Sequence, residues 1–75
     1  MLKEHDIVVL VENDPLHGLE AGDIGTIVHV YADGEAFEVE FVTFSGATAA
    51  LVTLKPQKVR AVSSNEIAHA RELST

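Results

Sequence analysis

The chain has 75 residues, a formal net charge of −7 and no cysteine. That leaves room for one small core, and it excludes a multidomain enzyme, a disulfide-stapled secreted domain and a cysteine-based zinc module. The composition, 47% hydrophobic and 23% charged, is that of a globular chain, and with only 5% aromatics the core must be aliphatic.

Residues 5–11, His5-Asp-Ile-Val-Val-Leu-Val, are rich in β-branched side chains and predict a first strand. Residues 12–22 follow as a long loop. In it Asn13-Asp14-Pro15 is turn chemistry, because Pro15 fixes its own φ and pushes Asp14 extended. Residues 23–31 predict a second strand with Gly25 near its start, and Ala32-Asp33-Gly34 predicts a tight hairpin, since Asp-Gly tolerates positive φ. Residues 35–42 alternate cleanly, with Phe37, Val39 and Phe41 on one face and Glu38 and Glu40 on the other, so this strand has one wet face. A turn at residues 43–46 leads to a fourth strand over 47–54. Pro56 then breaks the ladder with one 3₁₀ turn over 56–58, and a short fifth strand covers 59–62. Residues 63–75 read as a helical tail of about ten residues. Ser63 is its N-cap, Glu66 completes a capping box, and Ile67, Ala70 and Leu73 form a narrow apolar stripe. The expected fold is therefore all-β: a small SH3-like five-stranded barrel over residues 1–62 with a short C-terminal helix over 63–75. Its expected core is Val8, Leu10, Leu19, Ile24, Ile27, Val30, Phe37, Val39, Phe41, Leu51, Leu54, Val59 and Val62. The first two strands are apolar on both faces, which leaves their inward parity open.

The charge is uneven. Residues 1–54 carry ten acids and the single base Lys3, whereas residues 55–75 carry Lys55, Lys58, Arg60 and Arg71 against Glu66 and Glu72. An acidic body repels phosphate at long range, which disfavours nucleic acid and leaves a basic protein partner or plain solubility as the role of the charge. The first apolar run, Ile7 to Val11, is too short to span a membrane, and it lacks the basic start and cleavage site of an export signal. A cytoplasmic location and no membrane contact are expected.

Gly18, Gly22 and Gly25 punctuate the run Gly18-Leu-Glu-Ala-Gly22-Asp-Ile-Gly25-Thr-Ile-Val28. Gly18 and Gly22 fold the chain back, Gly25 lets a strand bend at a corner, and Gly34 serves the hairpin, so all four read as structural. The run resembles the KOW motif of ribosomal and transcription-elongation proteins. The usually basic loop of that motif is here Glu20 and Asp23, so the resemblance implies the barrel rather than RNA binding. A broader resemblance covers residues 4–62. Asp6-Ile-Val-Val-Leu10, Pro15-Leu-His-Gly-Leu19, Gly22-Asp-Ile-Gly-Thr-Ile-Val-His-Val-Tyr31, Phe37-Glu-Val-Glu-Phe41 and the stretch from Leu54 to Val62 are similar to the DUF4926 family. That resemblance implies a small bacterial protein of unknown function with an SH3-like fold, and it carries over no catalytic residue. The tail lies outside it.

No phosphate-binding loop, dinucleotide fingerprint, His-Glu-x-x-His or nucleophile elbow is present, and Ser45, Ser63 and Ser64 sit in turn or cap contexts away from histidine. The histidines His5, His17, His29 and His69 lack metal-ligand spacing, and His17 with Asp14 and Glu20 is the nearest approach to a cluster. No catalytic residue, cofactor or metal is expected. The candidate interaction residues are Pro15 and His17 on the long loop, Tyr31 and Phe44 as exposed aromatics, and Glu38 and Glu40 on the wet face. Tyr31, Phe44 and Pro15 are expected to form an apolar patch beside the loop. The function expected is a non-enzymatic protein-interaction or regulatory module, a small acidic accessory protein. A weak KOW-like nucleic-acid binder using Lys55, Lys58, Arg60 and Arg71, and an antitoxin-like inhibitor of a basic partner, are the alternatives. Self-association through a barrel edge or the Ile67/Ala70 stripe is a further expectation.

Overall fold

The computed structural model describes residues 1–73. It is all-β: β1 (Ile7–Leu10), β2 (Ile24–Tyr31), β3 (Ala36–Val42), β4 (Thr48–Leu54) and β5 (Val59–Ala61). The five strands form one antiparallel sheet in the order β4-β3-β2-β1-β5. Strand β5 follows a 3₁₀ turn at Pro56–Lys58, and a second such turn, Pro15–His17, lies in the long β1–β2 loop.

The sheet is open, which corrects the barrel expectation. All three residues of β5 pair with β1, and β4 pairs with β3. After Pro56 too little strand remains to build a second ladder that would join β5 to β4. Yet residues from both ends of the strand order, Val52 and Leu54 from β4 and Val59 from β5, share one core cluster with Val8, Leu10, Ile27, Phe37, Val39 and Phe41. The sheet therefore curls until its two ends meet over a common apolar interior, without hydrogen-bonding to each other. Leu19, from the β1–β2 loop, plugs that interior.

Two devices produce the curl. Irregularities between Ile27 and His29 on β2 and at Ala49 on β4, where Phe41 pairs with Ala50 but Val42 with Thr48, are bulges, which bend a strand and switch its inward parity. The first is why Gly25 and Ile27 face the core while, past the bulge, Val30 rather than His29 packs against it. The second device is Gly25 itself, which lies buried opposite Val8 with no side chain to occupy the corner.

The parity also corrects the expected core. Ile24, Leu51 and Val62 lie outside it and are exposed, whereas Val52, which the sequence reading leaves out, is inside. Leu51 pairs with Glu40 and Val52 with Val39, so β4 must follow the alternation of β3. Val9 pairs with Ile24 on the opposite face, where Ile7, Val9 and Ile24 form a second, half-covered apolar surface. At the hairpin, positive φ begins one residue earlier than Asp-Gly suggests. Ala32, Asp33 and Gly34 all adopt it, and the Gly34 and Glu35 N–H groups both donate to the Tyr31 carbonyl.

The tail is not helical over residues 63–73, a second correction. Half of the expected capping box forms, because the Ser63 N–H donates to the Glu66 carboxylate at 2.7 Å. One turn closes from the Glu66 N–H to the Ser63 carbonyl. The chain then runs on without helix. A segment this short does not sustain a helix by propensity, and here tertiary ion pairs take its charged residues instead. Ser74 and Thr75, the end of the expected helix, lie outside the described residues.

Candidate functional site

Phe37, Val39 and Phe41 fill the interior, so the β3 pleat turns Glu38 and Glu40 outward. On this outer face Glu38 stands between His29 of β2 and Thr53 of β4, and Glu40 between Thr26 and Leu51. Hydroxyls hold both carboxylates. Thr53 Oγ1 and Tyr31 OH donate to Glu38 Oε1, at 2.5 and 3.3 Å, and Thr48 Oγ1 donates to Glu40 Oε2 at 2.8 Å. The His29 and Tyr31 rings meet edge to face at 4.5 Å, and His29 Nδ1 lies 3.6 Å from the Glu4 carboxylate. The result is a preoriented acidic strip whose negative charge is not cancelled.

Elsewhere, among the described residues, most bases are paired with carboxylates, while Glu72 forms no ion pair and Glu4 and Asp14 face only histidines. Lys3 pairs with Asp6, and Lys58 with Glu12. Arg60 grips Glu66 through two guanidinium nitrogens, at 2.9 and 2.7 Å. Arg71 holds Asp23 at 2.8 and 2.6 Å, donates to the Gly18 carbonyl at 3.0 Å and lies 3.7 Å from Glu20. Among the described residues Lys55 is the one Lys or Arg without a carboxylate partner, and Asp33, Glu35, Glu38 and Glu40 form no ion pair. The largest group of uncompensated carboxylates thus lies on the β2–β3 hairpin and the outer face of β3.

The Arg71 fork latches the tail to the base of the β1–β2 loop. Between this latch and Arg60–Glu66, residues 67–70 pass over the second apolar surface. They enclose a groove of about 610 Å³ lined by Ile7, Ile24, Val42, Phe44 and Val62. A neighbouring hollow of about 390 Å³ lies between Leu19, Phe44 and the end of the tail. The Arg71 hydrogen bond holds the Asp23 carboxyl below its ordinary pKa, and the Arg60 hydrogen bond, with help from the Ser63 N–H, holds Glu66 down to about 2.

The family model described as a domain of unknown function, DUF4926, matches residues 4–61. The chain belongs to the DUF4926 family. No curated protein and no solved structure matches it. The DUF4926 match ends with β5, so the acidic strip lies inside the family domain and the latched tail beyond it.

Within this DUF4926 domain the residues singled out from sequence divide into separate places. Tyr31, Glu38 and Glu40 come together on the acidic strip. Pro15 and His17 sit on the loop's 3₁₀ turn, where His17 Nδ1 and Asp14 Oδ2 are 2.8 Å apart. Phe44 is 97% exposed in the β3–β4 turn and lines the groove with Ile24, at the start of β2. Tyr31 is at the far end of the same eight-residue strand, roughly 24 Å away at the usual rise. The expected Tyr31–Phe44–Pro15 patch is therefore not assembled. Glu20 turns to Arg71 rather than to His17, and among the described residues no three His, Asp or Glu side chains gather at metal-ligand spacing. Sequence reasoning missed the groove, although its signal was present in the two-faced apolarity of the first two strands.

The tail supplies a test with a defined sign. Asp23 and Glu66 are more acidic folded than unfolded, so their pairs contribute fully at neutral pH. That contribution falls away as the pH drops below the unfolded carboxylate range, near about 4, and through the folded values. Arg71→Ala at neutral pH, and wild type at low pH, are expected to release residues 67–73 to coil-like amide shifts in NMR spectra. The sheet resonances of Arg71→Ala should stay in place. A tail equally ordered in Arg71→Ala would refute the latch.

Proposed function

We propose that this domain is a non-enzymatic interaction module that binds a basic protein segment on the outer face of β2–β3–β4. One observation carries the reading. In a chain whose Lys and Arg side chains are nearly all committed to carboxylates elsewhere, the four carboxylates of Asp33, Glu35, Glu38 and Glu40 are left together without a cation, and the last two are held in place by Tyr31, Thr53 and Thr48. Carboxylates fixed by neutral donors keep their charge for an incoming Lys or Arg, and they need little reorganisation to receive it. An antitoxin-like inhibitor of a basic target is one form such a module takes. The nucleic-acid alternative draws no comparable support, because Lys58, Arg60 and Arg71, three of its four bases, are committed to carboxylates. The long β1–β2 loop, the tight hairpin and the 3₁₀ turn that sets β5 beside β1 support an SH3-like curled sheet as the scaffold. No helix among the described residues is long and apolar enough to cross a membrane, and the chain has no cysteine, which suits the cytoplasmic setting proposed for it.

The test is fluorescence anisotropy with a labelled Lys/Arg-rich peptide and an equally labelled single-stranded RNA. Glu38→Lys combined with Glu40→Lys is expected to weaken peptide binding by about tenfold or more, and wild-type binding should weaken as salt screens the charges. Equal peptide binding by the double variant, or tight RNA binding by the wild type, would overturn the reading.

A further inference from the structure

We propose that the groove of about 610 Å³ beside the acidic strip takes an aliphatic side chain of the same protein segment whose Lys or Arg residues sit on the strip. This rests on the reading above that the strip receives a basic segment, and it adds what that segment carries besides its charge.

Strip and groove are one continuous surface. On the outer face of β3, Glu38, Glu40 and Val42 follow at alternate positions, so two acids and an apolar residue stand at steps of roughly 7 Å. Glu40 and Val42 both line the groove, as does Thr26, which pairs with Glu40 from β2. Glu40 accepts the Thr48 hydroxyl on Oε2 and has no cation among the described residues. Arg60 and Glu66, also in the lining, are spent on each other. The charge that remains to greet a ligand at this wall is therefore negative.

The tail leaves the groove open. Pinned at Glu66 and at Arg71, the residues between them bridge the apolar face without filling it. Ile67 stays 95% exposed, and with the tail in place Ile7 and Val42 are still 54% and 56% exposed. Phe44, almost wholly in water, borders the same space. Large apolar side chains left in water around a concavity, next to a fixed charge, suit a binding hot spot: the buried anchor supplies affinity and the charge supplies orientation.

Charge decides the occupant. A second copy brings the same −7 and sets acid against acid, and an anionic amphiphile meets Glu40 at the groove wall. Length decides its kind. The acids and the groove are strung along the whole of β3, roughly 20 Å, which takes several residues of a polypeptide to follow. An extended segment shows one side chain in two on the same side, at the same step as β3. The pattern that matches Glu38, Glu40 and Val42 is thus basic, basic, aliphatic at alternate positions.

The experiment compares two labelled peptides of equal charge by fluorescence anisotropy with the full chain, one containing Lys-Ser-Lys-Ser-Leu and the other Lys-Ser-Lys-Ser-Ser. The leucine peptide is expected to bind about tenfold more tightly and to shift the methyl resonances of Ile24 and Val42 in NMR spectra. Phe44→Ser combined with Ile67→Ser changes only exposed side chains, so the core is untouched. That variant should bring the two affinities together while leaving the serine peptide as it was, whereas Glu38→Lys with Glu40→Lys should weaken both peptides. Equal binding of the two peptides by wild type would overturn the inference and leave the basic-segment reading standing. Absence of salt-sensitive binding by either peptide would overturn both. A leucine gain that survives Phe44→Ser with Ile67→Ser, that comes without shifts at Ile24 and Val42, or that is matched when Glu replaces Lys in the peptide would also overturn the inference.

Discussion

Gly25→Ala is expected to lower the stability of the domain by about 2 kcal/mol, and Gly25→Val by more, in urea unfolding followed by circular dichroism. A Cβ at Gly25 would lie 2.6 Å from Val39 Cγ1, 2.9 Å from Phe41 Cε2 and 3.0 Å from the Glu40 carbonyl oxygen. None of these atoms can retreat cheaply. Val39 and Phe41 are buried in the shared core, and the Glu40 carbonyl belongs to the β3 backbone. On propensity alone the substitution would help, since alanine loses less backbone freedom on folding, by up to about 1 kcal/mol. The sign of the measured change therefore decides whether overpacking or chain entropy dominates at this corner. Removing the clashing methyl gives a second check. Val39→Ala alone costs its own buried methyls, but Gly25→Ala with Val39→Ala should lose clearly less than the sum of the two single variants, because the new Cβ takes space that Cγ1 vacates. Strict additivity would mean that the two positions do not touch. A domain of this size has a total stability on the order of 4–11 kcal/mol, so the larger substitution brings it near the limit of folding.

Ile27→Ala is expected to cost about 3 kcal/mol, while Leu51→Ala costs less than about 1 kcal/mol. Both are aliphatic strand residues, and both fit an alternating strand pattern. Ile27 is fully buried at the centre of the core, whereas Leu51 is on the outer face beside Glu40. Truncating Ile27 removes apolar contacts and leaves a cavity among Val8, Val39 and their neighbours. Truncating Leu51 returns only partly covered surface to water. Parallel urea titrations of the two variants measure the difference directly. Similar losses would mean that β4 faces inward at Leu51.

The acidic strip was legible residue by residue, because Phe37, Val39 and Phe41 alternate with Glu38 and Glu40 and a pleat allows that pattern one reading. The donors that fix the strip were not legible. Thr48 and Thr53 belong to β4, and nothing local assigns them to Glu40 and Glu38 until the β3–β4 register is set. The tail shows the reverse failure. Ser63 and Glu66 carry a helix-start signature, and part of it forms, but Arg60 and Asp23 compete for the same segment from elsewhere in the fold. Local propensity over so short a run is too weak to prevail over two bidentate ion pairs.

By itself the sequence determined what local chemistry controls: the all-β class, the five strands in order, the 3₁₀ turn at Pro56, and the positive-φ turns at Gly18, Gly22 and Gly34. It also determined the family, through a pattern spread over most of the chain. Tertiary structure alone decided which face of β1, β2 and β4 is the interior; on β2 and β4, bulges between Ile27 and His29 and at Ala49 shift parity without leaving a mark in the sequence. It decided too that the sheet curls without closing, that three of the four bases of residues 55–75 are spent on carboxylates, and that β4 is left as an uncharged margin. The physical reason is common to these cases. Turns and strand periodicity depend on residues a few positions apart, whereas register, ion pairing and edge exposure depend on which distant segments meet.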